Sequence, residues 1–269
     1  MNSGKKITME EAKVIRLEIL KELDSFCSSH NIRYYLAFGT LIGAIRHNGY
    51  IPWDDDVDVW MPRPDLDKFM EEYHPDGKYK LSHNRNPSDE HMWGFARLID
   101  TRTTMKLGSH SILGVNVELY PLDGFPEEGE KRNNFVRNLK YLRAINSRMI
   151  VKVFGLVAEN KWPFKKIKLR VLQRFINYYT KFGSKYSYNE SIDVVAIFDT
   201  PYKLKPFKRD WFGLGIKHKF ETLELMVPVK FHEVLTTIYG DYMTPPLSKS
   251  RCLLTMVIII GFNFYYNGY

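Results

Sequence analysis

The stretch Gly39–Met61, GTLIGAIRHNGYIPWDDDVDVWM, sets Asp54, Asp55, Asp56 and Asp58 between a tryptophan and an apolar run. Alternation along Asp56–Met61 predicts a strand, and successive strand side chains point to opposite faces. Asp54, Asp56, Asp58 and Trp60 would then share one face, with Val57, Val59 and Met61 on the other. Carboxylates spaced two apart present their oxygens to the same volume, so their repulsion calls for a compensating cation. A hard divalent ion fits, Mg²⁺ or Mn²⁺, because such ions take oxygen ligands, and Mg²⁺ often combines one or two protein carboxylates with substrate phosphates. Asp56 and Asp58 are the natural pair. An EF-hand loop counted from Asp54 fails, since Val59 stands where the loop needs Gly and Asp65 where it usually has Glu. A solvated acidic turn accounts for Asp54 and Asp55, but not for Asp56 and Asp58, which are interleaved with valines.

Working outward, Ile32–Phe38 is short, aromatic-rich and apolar on both faces, the pattern of a covered strand that stops at Gly39-Thr40. A short helix over Leu41–Arg46 should follow. Pro62 and Pro64 end the Asp-bearing strand and open a helix through Asp65–Tyr73. Upstream, Thr8 and Glu11 form a capping box ahead of Ile15, Ile19, Leu23 and Phe26, which predicts a first helix ending near His30. Further strands are expected at Tyr79–Ser82, Gly94–Ile99 and Val115–Tyr120. In the last of these, Glu118 points away from Val115 and Val117 and is a candidate third acidic ligand. Phe231–Tyr239 reads as a helix stopped by Gly240. The fold class is α+β, a mixed sheet flanked by helices, with 1–130 as a catalytic core, 131–190 as a basic helical region and 191–269 packing back on the core.

Of the 39 lysines and arginines, fifteen lie in Lys131–Lys185 against the single acid Glu159, so this segment is +14 and the rest of the chain −6. Leu139, Leu142 and Ile145, then Ile167, Val171, Phe175 and Tyr178, recur at helical spacing across a break at Trp162-Pro163. The region reads as two or more amphipathic helices. Their basic face is either a solvated surface or a contact for an anionic membrane or a phosphate-bearing acceptor. No zinc-finger, RNP1-like or GXXG signature accompanies the charge, so nucleic acid is not an expected partner. Two distant cysteines, Cys27 and Cys252, exclude a disulfide framework or zinc site. Without an apolar run behind its lysines, the N-terminus is neither signal nor anchor, and a cytoplasmic location is expected, with peripheral contact at the inner membrane face through 131–185.

Three motifs, FGTLIGAIRHNGYIPWDDDVDVWMP, VELYPLDG and YGDYMTPP, together resemble the LicD/fukutin family of nucleotidyltransferase-fold phosphotransferases. The resemblance implies a nucleotidyltransferase-like mixed sheet, an active-site helix after a Gly-Ser or Gly-Thr turn, an Asp-x-Asp pair and a third carboxylate on a later strand. These fall on Gly39, Thr40, Asp56, Asp58 and Glu118, although the family more commonly has Asp at the last position. It implies phosphocholine transfer from CDP-choline, or a related alcohol phosphate from its CDP donor, to a sugar of a surface polysaccharide, teichoic acid or lipopolysaccharide. A glycan or glycolipid would be the acceptor, with Mg²⁺ or Mn²⁺ on Asp56, Asp58 and Glu118.

Backbone N–H groups at the Gly39-Thr40 turn can approach a phosphate closely. Arg46 and His47 are candidate phosphate ligands, with Arg97 a weaker one. Asp54 would orient a ligand, assist the base or shape the turn. For a choline headgroup, cation–π attraction needs an aromatic face, for which Tyr50, Trp53, Trp60 and Trp93 are candidates. Two rivals share the same residues: a metal-dependent glycosyltransferase using Asp-x-Asp, and a non-catalytic membrane- or polymer-binding protein. The ending LSKSRCLLTMVIIIGFNFYYNGY is more apolar than the family's polar tails; Cys252–Phe262 within it suits a core strand or short helix and is too short to span a bilayer.

Overall fold

Thr8 caps the first helix as its spacing requires: the Glu11 N–H donates to Thr8 Oγ1 at 3.2 Å and the Thr8 N–H to Glu11 Oε2 at 2.7 Å. From there the computed structural model describes residues 5–86, 91, 93–107, 110–159, 165–198, 204–245 and 263–266. The first half runs β1 (Lys5–Lys6), α1 (Met9–Ser29), β2 (Tyr35–Leu36), α2 (Phe38–His47), β3 (Asp58–Pro62), α3 (Arg63–Glu72), β4 (Tyr79–Ser82), β5 (Ala96–Asp100), β6 (Thr103–Leu107), β7 (His110–Leu113) and β8 (Asn116–Phe125). The second half runs α4 (Glu130–Glu159), α5 (Lys165–Gly183), β9 (Asp193–Val195), β10 (Phe207–Lys208), a 3₁₀ turn at Arg209–Trp211, β11 (Ile216–Phe220), β12 (Leu223–Val227), α6 (Phe231–Tyr239) and β13 (Asn263–Tyr266).

The central sheet is mixed and its spine is β8. β3 runs parallel to β8 with Asp58 opposite Glu118 and Trp60 opposite Tyr120. Residues 116–119 of β8 pair antiparallel with β5, and residues 123–125 with β9. β2, β4 and β10 extend this sheet through β3, β5 and β9. All five residues of β3 are buried, so its run of Val59, Trp60 and Met61 is the reading of a strand covered on both faces. Ile19, Leu20 and Leu23 of α1, Leu41 of α2 and Phe69 of α3 complete this core. α4 and α5 pack together, and a second apolar cluster, with Phe135 and Leu139 of α4, Tyr179 of α5 and Val195 of β9, joins them to the sheet.

Several boundaries differ from expectation, for local reasons. The strand expected over Ile32–Phe38 narrows to Tyr35–Leu36, since the Arg33 N–H is spent on the Asp65 carboxylate at 2.7 Å and Phe38 already turns with φ 45°. α2 therefore begins at Phe38 and takes Gly39 and Thr40 into its first turn, rather than after it. The strand expected from Asp56 begins at Asp58, where the Glu118 N–H reaches the Val57 carbonyl at 2.9 Å and ladder pairing starts. Asp54 and Asp56 thus belong to a loop and not to one strand face with Asp58. The apolar stretch Cys252–Phe262 and the Trp162-Pro163 break lie outside the described residues.

One buried ion pair locks the spine to the helix that follows β3. Arg63 Nε and Nη2 donate to the two oxygens of Asp123 at 2.6 and 2.8 Å, and Asp123 is wholly buried. Removing one partner of such a pair strands the other charge in the core. Asp123→Asn should lower unfolding free energy by roughly 3–5 kcal/mol in urea titration; a loss below about 1 kcal/mol would show that the pair is not structural.

Candidate active site

The start of α2 is the scaffold of the site. Its N-cap, Ala37, has no capping side chain, so the first-turn N–H groups carry no side-chain cap. Thr40 Oγ1 instead accepts the Asp58 N–H at 2.9 Å, and the Ala37 N–H donates to the Asp58 carbonyl at 2.9 Å. These two bonds fix the helix start against the beginning of β3. Gly39 is required by close approach: a Cβ there would meet Asp54 Oδ2 at 2.6 Å. Phe38, in the left-handed region that aromatic residues rarely occupy, sets its ring edge-on to Trp60 and Tyr120 at 4.7 and 5.4 Å between centroids.

The carboxylates form two adjoining sets. In the loop, Asp54, Asp55 and Asp56 each bring an oxygen within 4.8 Å of the others. On the strands, Asp58 lies opposite Glu118 in parallel register. Glu118 is held on both oxygens: Arg97 Nε and Nη2 donate to Oε1 at 2.9 and 2.5 Å, and the Tyr120 hydroxyl donates to Oε2 at 2.6 Å. The Arg97 guanidinium lies 3.6 Å from the ring centroid of Trp93 and 5.0 Å from that of Phe95. The sets communicate through Asp56, which shares a hydrogen bond with Asp54 and feels the charge of Glu118. Burial, then the negative charges of Asp54, Glu118 and Asp55, push the Asp56 carboxyl well above the carboxylate range. Asp56 is nonetheless the exposed member of the three, with Asp54 half-buried and Asp55 buried beside it. Burial also raises Asp54 and Asp55, against the pull of Arg16.

Arg16 is the buried cation beside the loop aspartates that reading the sequence missed, because α1 looked like scaffold alone. Arg16 and Lys13 lie on the buried side of α1, at 4% and 7% exposure. Lys13 Nζ donates to the Pro52 carbonyl at 3.3 Å, the Tyr50 hydroxyl donates to the Lys13 carbonyl at 3.0 Å, and Arg16 faces Tyr50 and the three loop aspartates. The available signal was two cations among the core-facing positions of an otherwise amphipathic helix. Asp55, expected in a solvated turn, is instead 5% exposed, because this cationic floor receives it.

Arg46 and His47 are not brought to the Gly39-Thr40 end. They end α2, about 10 Å along its axis at 1.5 Å per residue, where Arg46 Nη1 donates to the Tyr242 carbonyl at 2.7 Å and Arg46 Nε to His47 Nε2 at 3.0 Å. Of the aromatic candidates, Trp60 is wholly buried and Tyr50 carries Lys13 Nζ 5.5 Å from its ring, whereas Trp93 underlies Arg97 and Trp53 adjoins Asp54.

The oxygen-only donor set and the mutual crowding of the loop carboxylates suit a hard divalent cation. A mixed sheet that presents acidic residues on a parallel strand pair, beside the start of a helix, defines a nucleotidyltransferase-like centre. Residues 31–135 match the family model described as LicD/FKTN/FKRP, nucleotidyltransferase domain, a span that holds the α2 start, the loop aspartates and the β3–β8 pair. It is 28% identical over 266 residues to the lipopolysaccharide cholinephosphotransferase LicD of Haemophilus influenzae, covering 92% of this chain and 96% of that protein. Uncharacterized proteins of Rickettsia typhi and Rickettsia prowazekii are 34% and 33% identical over 85 residues, covering 30% of this chain and 27% and 32% of theirs.

A raised carboxyl pKa has a signed consequence. The folded state holds the Asp56 proton more firmly than the unfolded chain does, so stability is lost as pH rises from the ordinary carboxylate range through the raised value. Asp56→Asn should therefore raise the Tm of the metal-free protein at pH 8 relative to the wild type and flatten its decline above the ordinary carboxylate range. A lower Tm for the variant at pH 8 would contradict this account.

Proposed function

We propose that this chain transfers phosphocholine from CDP-choline to a sugar hydroxyl of a lipopolysaccharide or related cell-surface glycan, with Mg²⁺ or Mn²⁺. The observation that carries this reading is the meeting of the α2 start with the Asp54–Asp56 loop and the Asp58–Glu118 strand pair. The whole-length similarity to a cholinephosphotransferase supports it and favours choline over other alcohols. The acceptor hydroxyl attacks the choline-bearing phosphorus, the bond to the CMP oxygen breaks, and the hydroxyl proton is released.

Asp56, Asp58 and Glu118 would hold the cation, with Asp54 and Asp55 adjoining. Bound there, the ion neutralises phosphate charge, the main requirement of phosphoryl transfer. The first-turn N–H groups of Gly39 and Thr40 receive phosphate oxygens at the positive end of α2. Arg97 and Tyr120 keep Glu118 in one orientation. Arg16 holds Asp55 down, so that Asp54 and Asp56 face the opening.

The test is CMP release from CDP-choline, with a lipopolysaccharide acceptor and Mg²⁺. Asp58→Asn and Asp56→Asn should each lower turnover by at least about a hundredfold, chelation should abolish it, and CDP-ribitol, CDP-glycerol and UDP-sugars should be poor donors. Release of UDP from a UDP-sugar with CDP-choline inert would establish the glycosyltransferase reading. Phosphocholine incorporation unaffected by either substitution would establish a binding protein.

A further inference from the structure

The basic charge of Lys131–Lys185 takes no part in the carboxylate site, and its placement is specific. On α4, Arg137, Tyr141, Ala144 and Arg148 recur at helical spacing and are all exposed, with Ile145 beside them. On α5, Arg170, Arg174, Tyr178 and Lys181 do the same, with Val171 beside them. The opposite sides of both helices are already used, α4 through Phe135 and Leu139 and α5 through Leu172, Ile176 and Tyr179, which are buried. The outward stripes therefore have no remaining structural duty. They mix cations with large apolar groups: Tyr141 is 66% exposed, Ile145 43%, Val171 50% and Tyr178 58%. No acidic side chain dilutes either stripe, since Glu159 is the one acid in the segment.

We propose that the α4–α5 hairpin is a peripheral docking surface for an anionic lipid bilayer. Charge complementarity selects an anionic partner, and the interspersed Tyr, Ile and Val side chains select a bilayer over a nucleic acid. Aliphatic groups gain from burial at the headgroup boundary, but have no counterpart along a phosphodiester backbone. α4 alone, at 30 residues, is about 45 Å long, and no helix among the described residues is long and apolar enough to cross a membrane. The surface is joined to the site by a short chain of contacts. Trp93 packs against Leu169, Leu172 and Ile176 of α5 while its ring underlies Arg97, which holds Glu118. A hairpin seated on lipid would present the carboxylate site at a fixed position relative to membrane-held acceptors.

Binding is read without any transfer reaction, by sedimentation of the full chain with phosphatidylglycerol–phosphatidylcholine vesicles and with phosphatidylcholine alone. The wild type should bind the anionic vesicles, leave the neutral ones, and be released by salt. Arg170→Glu/Arg174→Glu/Lys181→Glu should weaken binding by more than about tenfold at unchanged circular dichroism. Tyr141→Ser/Tyr178→Ser, which keeps every charge, should weaken binding while preserving its salt dependence. No binding to anionic vesicles, equal binding to neutral ones, or displacement from vesicles by duplex RNA at equal phosphate concentration would overturn the proposal.

Discussion

The parallel pairing of β3 with β8 is the constraint on which the rest of this structure depends. Neighbouring strands lie about 4.8 Å apart, so register alone brings Asp58 beside Glu118, two residues sixty positions apart in the chain. A parallel pair cannot be closed by a tight turn and needs a crossover. Here α3 begins that crossover, and Arg63, its first residue, reaches across to Asp123 near the far end of β8. The apolar layers of α1, α2 and α3 bury the pair on both faces. With the strands so held, side chains at the mouth of the pair keep their positions even when their charges oppose folding.

They do oppose it, and the compensation is unequal. Glu118 has Arg97 and Tyr120, and Asp55 has the Arg16 side of α1. Asp56 combines burial with the charges of Asp54, Glu118 and Asp55, so its carboxyl is pushed well above the carboxylate range. A loop selected for stability alone would have replaced Asp56. Keeping a carboxylate that costs folding energy in the absence of a cation is the usual signature of a site shaped for a ligand.

Much of this was legible in the sequence, because the decisive features are local. The capping box, the Pro-flanked helix start and the apolar run of β3 each rest on residues within a few positions of one another. The family resemblance implied one site for Gly39, Thr40 and the aspartates, but the Thr40–Asp58 bond and the Gly39–Asp54 approach are seen only in the fold. What could not be read was set by tertiary approach. Asp54 and Asp56 left the strand face because ladder pairing begins only where Glu118 stands. Asp55 turned inward because α1 supplies a cation from forty positions upstream. Arg46, the penultimate residue of α2, was drawn to the Tyr242 carbonyl by a segment nearly two hundred positions away. The short strands β9 to β12 carry too few residues for periodicity to register.

The division of charge between the two halves follows from the same physics. The crowded carboxylates of Asp54, Asp55 and Asp56 repel a nucleotide diphosphate and attract a divalent cation, so on the proposed reading the cation is a condition of donor binding and not only of chemistry. Basic side chains placed within the site would compete for the same carboxylates, as Arg97 already does for Glu118. Cations that serve a second, anionic partner must therefore sit on an element that shares the scaffold but not the cleft. The α4–α5 hairpin meets that condition: it is anchored to β9 through apolar contacts and Arg132, and to Trp93 through apolar contacts, while Arg137, Arg148, Arg170, Arg174 and Lys181 are exposed on its surface.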